Sequence, residues 1–214
     1  MKLERRLGQG LAALGIALDA QTRAKLLQFL DLLAHWNRAY SLTAVREVEQ
    51  MLPRHLLDSL SVLPYLEGRR VLDIGTGAGL PGIPLALARP DVDFVLLDSN
   101  AKKIRFVKQA IHELGLRHVA AVQSAAERYE PAEPFDTLIA RAVAAIPDML
   151  ALCSHLCAPG SRVLAMKGVY PEEELAALDR AFSARAVLPL TVPGLDAARH
   201  VVILERVARD GRSA

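Results

Sequence analysis

The sequence predicts an α/β fold: a mostly parallel sheet with helices on both faces, an antiparallel edge near its C-terminus and an all-helical N-terminal extension. Three observations predict it. No strand-like run occurs before residue 69, and from Arg69 onward short apolar runs alternate with helical stretches. The last two β-rich runs, Ala186–Val192 and His200–Val207, are joined through Pro193-Gly194 rather than by a helix. Apolar strands separated by helices suit a parallel sheet buried on both faces, whereas a tight connection between consecutive strands suits antiparallel pairing.

The elements follow in order. Leu3, Leu7, Leu11 and Leu14, then Leu26, Leu27, Leu30, Leu33 and Trp36, keep helical spacing and predict two amphipathic helices, the second capped by Asp19. Trp36 to Thr43 reads as the end of that helix and a turn, and a third helix is expected from about Pro53 through Leu60. Strands are expected at Val71–Ile74, Val92–Leu97, Val119–Val122, Thr137–Ala140 and Arg162–Met166. Helices are expected after Pro81, from Ala101, around Met149–Cys157 and over Pro171–Phe182. The organisation is therefore a helical extension over 1–68, a sheet domain over 69–207 and a flexible tail over 208–214.

The chain has 214 residues, 52% of them hydrophobic and 23% charged, with a formal net charge of +2. That length builds one good core. No apolar run approaches the roughly 20 residues of a membrane span, and the N-terminus lacks a signal-peptide pattern, so a cytoplasmic monomer without a membrane partner is expected. Cys153 and Cys157, four apart with His155 between them, suggest packing rather than a disulfide framework or a metal site. The mild positive charge permits a nucleic-acid partner without demanding one.

Chemistry concentrates at Val71–Pro84, a strand ending in Asp73-Ile74 followed by Gly75, Gly77, Gly79 and Gly82. Glycines supply the left-handed turn and the bare backbone a ligand needs to lie against the main chain, and Pro81 and Pro84 suit the first turn of a helix. Gly77, Gly79 and Gly82 also spell Gly-x-Gly-x-x-Gly, but a pyrophosphate gains nothing from the carboxylate of Asp73 beside it. A cationic ligand does. S-adenosylmethionine, with its sulfonium and ammonium groups and no phosphate, suits the loop better than a dinucleotide. Asp98, nineteen positions after Gly79 at the end of the second strand, can accept both ribose hydroxyls; Asp98 or Ser99 is equally suited to cap the helix from Ala101. Gln123 to Glu127 stands where adenine would rest. Arg141 and Lys167-Gly168 end the fourth and fifth strands, so two cations converge on one mouth. Lys102, Lys103, Arg105 and Lys108 form a basic helical stretch, a solvated face or a phosphate contact.

Taken together, Trp36-Asn37 with Leu42-Thr43, Arg54 to Ser59, Asp73 to Pro84, Leu97-Asp98-Ser99 with Lys102-Lys103, Arg141-Ala142, Lys167-Gly168 and Arg199-His200 make the chain resemble the bacterial 16S rRNA guanine-N7 methyltransferase family, also called the glucose-inhibited division protein B family. The resemblance runs nearly end to end. It implies a class I, Rossmann-like methyltransferase fold with S-adenosylmethionine as cofactor and 16S rRNA or the small ribosomal subunit as partner. It also implies that Gly75, Leu80, Ala126, Glu127 and Arg141 line the cofactor site beside Gly77 and Gly79, with Asp73 and Asp98 at its methionine and ribose ends. Family members often carry asparagine where this chain has Ser41, and arginine where it has Ala125. Because guanine N7 bears no proton, in-line methyl transfer needs positioning more than a general base. No catalytic base is therefore named. Arg141 and Lys167 are positioning candidates, and Lys102, Lys103, Arg141, Lys167 and Arg199 are candidates for contacts with RNA. The rivals are a methyltransferase acting on a small molecule or protein and a non-catalytic rRNA-binding assembly factor.

Overall fold

The computed structural model describes residues 2–142 and 144–207; the tail 208–214 lies outside the described residues. Seven strands form one sheet in the order β3-β2-β1-β4-β5-β7-β6. These are β1 (Arg70–Ile74), β2 (Asp93–Asp98), β3 (Val119–Gln123), β4 (Phe135–Arg141), β5 (Cys157–Lys167), β6 (Phe182–Pro189) and β7 (His200–Arg206). The first five pair in parallel. Only β7 and β6 are antiparallel, with β7 inserted between β5 and the edge strand β6. That insertion is why Val201, Val202, Ile203 and Leu204 are all buried, whereas most of β6 is only partly covered.

Strand alternation sends Val71, Phe94, Leu96, Ile139 and Leu164 to one face, and Leu72, Ile74, Leu97, Leu138 and Val163 to the other. The first face is covered by α1 (Lys2–Ala13), α2 (Ala20–Tyr40), α5 (Gly82–Ala88) and α6 (Ala101–Leu114). The N-terminal helices thus share a core with the sheet. Phe29 and Trp36 of α2 both pack on Phe106 of α6, with ring centroids 6.3 and 5.7 Å apart, and Lys25 Nζ donates to the Leu114 carbonyl that ends α6 (2.8 Å). The second face is closed by α7 (Ile146–Cys153). Among the described residues no helix is long and apolar enough to cross a membrane.

Asp19 caps α2 by accepting the Thr22 N–H at 2.7 Å, and Ser41 ends it in the left-handed region at φ 50°. Several expected boundaries are corrected, among them the strand expected at Ala186–Val192, which is β6 over Phe182–Pro189. The third helix starts earlier, as α3 (Val48–Met51), and continues through a π-helical stretch (Leu52–Leu57) into α4 (Asp58–Leu60); Pro53, unable to donate to the preceding turn, sits where the pattern loosens. The helix expected to reach Cys157 ends at Cys153, and β5 begins at Cys157, five residues before the expected Arg162. The stretch from Pro171 is helical only over α8 (Glu172–Ala176), where three glutamates crowd the first turn. The helix from Ala101 is capped by Asn100, whose Oδ1 accepts from Lys102 and Lys103, and not by Asp98 or Ser99. Cys153 and Cys157 are buried, and burial pushes both thiols up to about 12.

Candidate functional site

Chain order places the site before any side chain is considered. After β1 the chain builds outward through β2 and β3, then returns to the other side of β1 for β4. The carboxyl ends of β1 and β4 flank this reversal, where open α/β sheets bind ligands. The loop after β1 turns on Gly75, Gly77 and Gly79, all at positive φ (65°, 59° and 77°), a region an L side chain enters only with strain. A Cβ at Gly77 would meet nothing nearer than the Gly75 carbonyl at 3.8 Å, so the loop presents open backbone. Gly82, by contrast, is packed shut: a Cβ there would collide with Leu96 and approach Asp73 Oδ2 at 2.7 Å.

Asp73 holds this loop from beneath. It is fully buried; its Oδ2 accepts from Thr76 Oγ1 (2.6 Å) and the Gly82 N–H (2.8 Å), while Oδ1 is buried without a partner among the described residues. Burial pushes its carboxyl up to about 7, against the opposing pull of the Thr76 and Gly82 hydrogen bonds. Replacing Gly82 with alanine is expected to lower stability by about 2 kcal/mol through overpacking against Leu96 and the fixed carboxylate, read as a lower urea midpoint. An unchanged midpoint would contradict this packing.

Two cavities open along the carboxyl edge. The smaller, about 250 Å³, is lined by Gly75, Asp98, Ser124 to Glu127, Met149 and Leu152, among others. Asp98 is oriented there by the N–H groups of Gly77 (2.9 Å) and Asn100 (2.8 Å), one on each carboxylate oxygen, with Lys103 Nζ 3.6 Å away. A carboxylate held by backbone at the rim, small residues opposite it and the apolar side chains of Met149 and Leu152 fit the ribose and adenine of an adenosine-type ligand. The larger cavity, about 420 Å³, lies beside it at the ends of β4 and β5 and is lined by four cations, Arg54, Arg141, Lys167 and Arg199, against one carboxylate, Asp58.

Asp58 joins the two halves of the chain. Its Oδ2 accepts from Arg141 (3.0 Å) and its Oδ1 from Arg199 (2.9 Å); its side chain is 3% exposed, theirs 20% and 27%. Arg141 also donates to the Arg54 carbonyl (3.2 Å). His55 packs behind this group. Its Nδ1 lies 2.9 Å from the Arg54 carbonyl and its Nε2 2.9 Å from Thr43 Oγ1. A carbonyl only accepts, so Nδ1 carries the proton and Nε2 accepts from Thr43. Burial, with Arg141 nearby, lowers the imidazole to about 4, consistent with a neutral ring. Asn37 fixes Thr43 in turn, accepting its N–H at 2.8 Å and donating to the Val45 carbonyl at 3.1 Å.

Residues 22–202 match the family described as rRNA small subunit methyltransferase G (GidB). The chain belongs to this family. A ribosomal RNA small subunit methyltransferase G from Nitrosococcus oceani is 52% identical over 198 residues, covering 92% of each chain. Another from Shewanella amazonensis is 50% identical over 202 residues, covering 94% of this chain and 98% of that one. The fold is that of S-adenosylmethionine-dependent methyltransferases. The O-methyltransferase TomG from Streptomyces achromogenes, solved in complex with SAM, aligns at a TM-score of 0.59 and 20% identity, covering 97% of this chain and 100% of that one. An O-methyltransferase from Bacillus cereus in complex with SAH aligns at 0.61 and 21%, covering 92% and 96%. At such identities the likeness shows the fold alone.

Within this member of the rRNA small subunit methyltransferase G family, the candidate residues separate by position. Gly75, Asp98, Ala126 and Glu127 line the smaller cavity, and Gly77 reaches it through its hydrogen bond to Asp98. Gly79 closes on Ile83, Leu80 is buried in the core, and Asp73 lies beneath the loop, lining neither cavity. Arg141, Lys167 and Arg199 meet at the larger cavity. Lys167 is paired with Glu174, its Nζ 2.7 Å from Oε2, and Glu174 also accepts the Ile146 N–H that opens α7. Lys102 is exposed at the start of α6, and Lys103 leans on Asp98. Met149 and Leu152 went unassigned in the sequence because apolar residues in a helix read as core; Asp58 and His55 carried no local signal of a site beyond the resemblance.

Proposed function

We propose that the protein transfers a methyl group from S-adenosylmethionine to N7 of a guanine in 16S rRNA. Methylation of small-subunit rRNA with this donor rests on family membership; the choice of guanine N7 is proposed. The observation that carries it is the pairing of a cavity lined by Asp98, the small residues Ser124 to Ala126 and Met149 with an adjoining cavity that sets four cations against a single carboxylate among the described residues. In this reading residues 69–207 hold the donor and the helical segment 1–68 supplies one wall of the acceptor side through Val45, Arg54, His55 and Asp58.

When bound, the donor supplies an electrophilic methyl on a sulfonium. Asp98 would hold the ribose hydroxyls, the open backbone of Gly75 and Gly77 would lie along the ligand, and Ala126 and Glu127 would border adenine. The acceptor side needs geometry and no base. Guanine N7 has a lone pair and no proton, and both nitrogens of His55, which supplies the one imidazole lining the larger cavity among the described residues, are engaged by protein. Arg141 spends Nη1 on Asp58 and the Arg54 carbonyl, leaving Nε and Nη2 without protein acceptors among the described residues. Those donors suit a phosphate or guanine O6. Lys167, paired with Glu174, and Arg199, paired with Asp58, are positioning groups at the same mouth. Because side chains cannot read the deep groove of A-form RNA, the guanine is expected to be unpaired or splayed out.

The test is nucleoside analysis of small-subunit rRNA after incubation with the protein and methyl-labelled donor, supplying both intact subunits and deproteinised RNA. Label in 7-methylguanosine is expected. Label in a different nucleoside would reassign the acceptor atom, and donor binding without rRNA label on either substrate would overturn the proposal. Asp98→Ala is expected to weaken donor binding by more than about tenfold, the loss of charge-assisted hydrogen bonds, as measured by calorimetry.

A further inference from the structure

The loop leaving β5 carries the two most exposed large apolar side chains among the described residues, Val169 at 76% and Tyr170 at 56%. Its place in the fold is specific. Gly168, just before the pair, lines the larger cavity, as do Lys167 and Arg199. The Tyr170 ring meets the ring of His200 at 88°, with centroids 6.0 Å apart. His200 follows Arg199 and lies opposite Lys167 in the β5–β7 register, and its Nδ1 is buried without a hydrogen-bond partner among the described residues. The aromatic ring, two positions beyond the Gly168 that lines the cavity, is therefore braced by a strand residue, while more than half of the residue stays exposed.

An exposed aromatic ring beside a cation-rich cavity is the combination that binds single-stranded nucleic acid: cations follow the phosphates and the ring stacks a base. An apolar peptide or lipid chain would use the ring but would cover Arg54, Arg141, Lys167 and Arg199 without compensating the positive charge they carry in excess of Asp58 and Glu174. We propose that Tyr170 is the base-stacking residue of the acceptor site, its ring receiving the face of an unpaired guanine of the RNA substrate. This rests on the methyl-acceptor reading given above. Guanine N7 loses no proton on methylation, so the ring acquires a positive charge as the methyl arrives. The electron-rich face of tyrosine attracts a cation more strongly than a neutral base. The contact thus strengthens toward the transition state and contributes to kcat as well as to KM.

The test uses the full chain with Tyr170→Phe, Tyr170→Leu and Tyr170→Ala, small ribosomal subunits as methyl acceptor, and a fluorescein-labelled rRNA fragment with an unpaired guanine as binding probe. Stacking is worth about 1–3 kcal/mol per base. Tyr170→Phe is expected to stay within about twofold of the parent, while the leucine and alanine variants lose about 10- to 100-fold in kcat/KM, part of it in kcat. Binding of S-adenosylmethionine is expected to be unchanged in all three. Leucine or alanine variants with parental kcat/KM and parental affinity for the probe would overturn the inference. An equal loss in Tyr170→Phe would overturn it too, by assigning the effect to the hydroxyl. The two proposals fail separately. If the parent chain methylates no guanine but Tyr170→Ala still weakens probe binding while Tyr170→Phe does not, the stacking role stands and the reaction assignment falls.

Discussion

Asp58→Ala is expected to cost about 3 kcal/mol of folding stability, the lower end of the range for removing one partner from a buried ion pair, because both arginines retain some contact with solvent. The loss comes less from the attraction itself than from what is left behind. Arg141 would keep only its bond to the Arg54 carbonyl, and Arg199 only its bond to the Ala198 carbonyl, in a cavity that would then hold four cations and no carboxylate. Asp58→Asn is expected to cost less, since its one oxygen can still accept from one guanidinium while its amide turns a donor toward the other. Urea unfolding of Asp58→Ala, Arg199→Ala and the double variant measures the coupling. A double variant as unstable as the two single variants combined would show that the carboxylate and Arg199 do not act together. The same variants are expected to lose methyl transfer to rRNA more than donor binding, because Asp58 lines the larger cavity and not the smaller.

The second large effect is a dependence on pH concealed in the parent protein by two opposing groups. His55 is lowered to about 4 by burial, with Arg141 nearby. Between about pH 4 and 6.5 the unfolded chain therefore holds a proton that the folded chain lacks, and stability rises with pH by about 3 kcal/mol. Asp73 is raised to about 7, again by burial. Between about pH 4 and 7 the folded chain holds a proton that the unfolded chain has lost, and stability falls with rising pH by about 4 kcal/mol. The two slopes nearly cancel. Asp73→Asn is expected to remove the falling contribution, so that its stability relative to the parent rises across pH 4 to 7. His55→Gln is expected to do the reverse, falling relative to the parent from pH 4 to 6.5. Urea midpoints over this window decide it; a constant difference between either variant and the parent would show that the group does not titrate as its burial implies.

These two residues also show how far the sequence could be read. Asp73 announced itself by standing two places before a glycine turn, and the inference that the turn serves a ligand was available because φ > 0 is a local property that glycine alone satisfies easily. The direction of its side chain was not local. It points under the loop to Thr76 and the Gly82 N–H because α5 folds back over the face of the sheet that bears residue 73. Asp98 shows the same division. Its place at a strand end was legible and its bond to the Asn100 N–H spans only two residues, but its bond to the Gly77 N–H, 21 positions away, followed from the pairing of β1 with β2.

By itself the sequence determined the alternation of strands and helices, the glycine loop, the acidic residue that ends the second strand nineteen positions after Gly79 and, through the Asp73 to Pro84 run, the resemblance to one methyltransferase family. All of these reside in spacings of a few residues to about twenty, within which hydrophobic period, turn chemistry and capping act. The tertiary structure alone decided which charges face one another. Arg141 meets Asp58 across 83 positions and Arg199 meets it across 141, because the reversal of strand order between β1 and β4 and the insertion of β7 beside β5 bring distant segments to one edge. Tyr170 acquires its place in the same way. Only the register that sets His200 opposite Lys167 braces the ring beside residues that line the larger cavity, since no periodicity in a chain records which strand will become its neighbour.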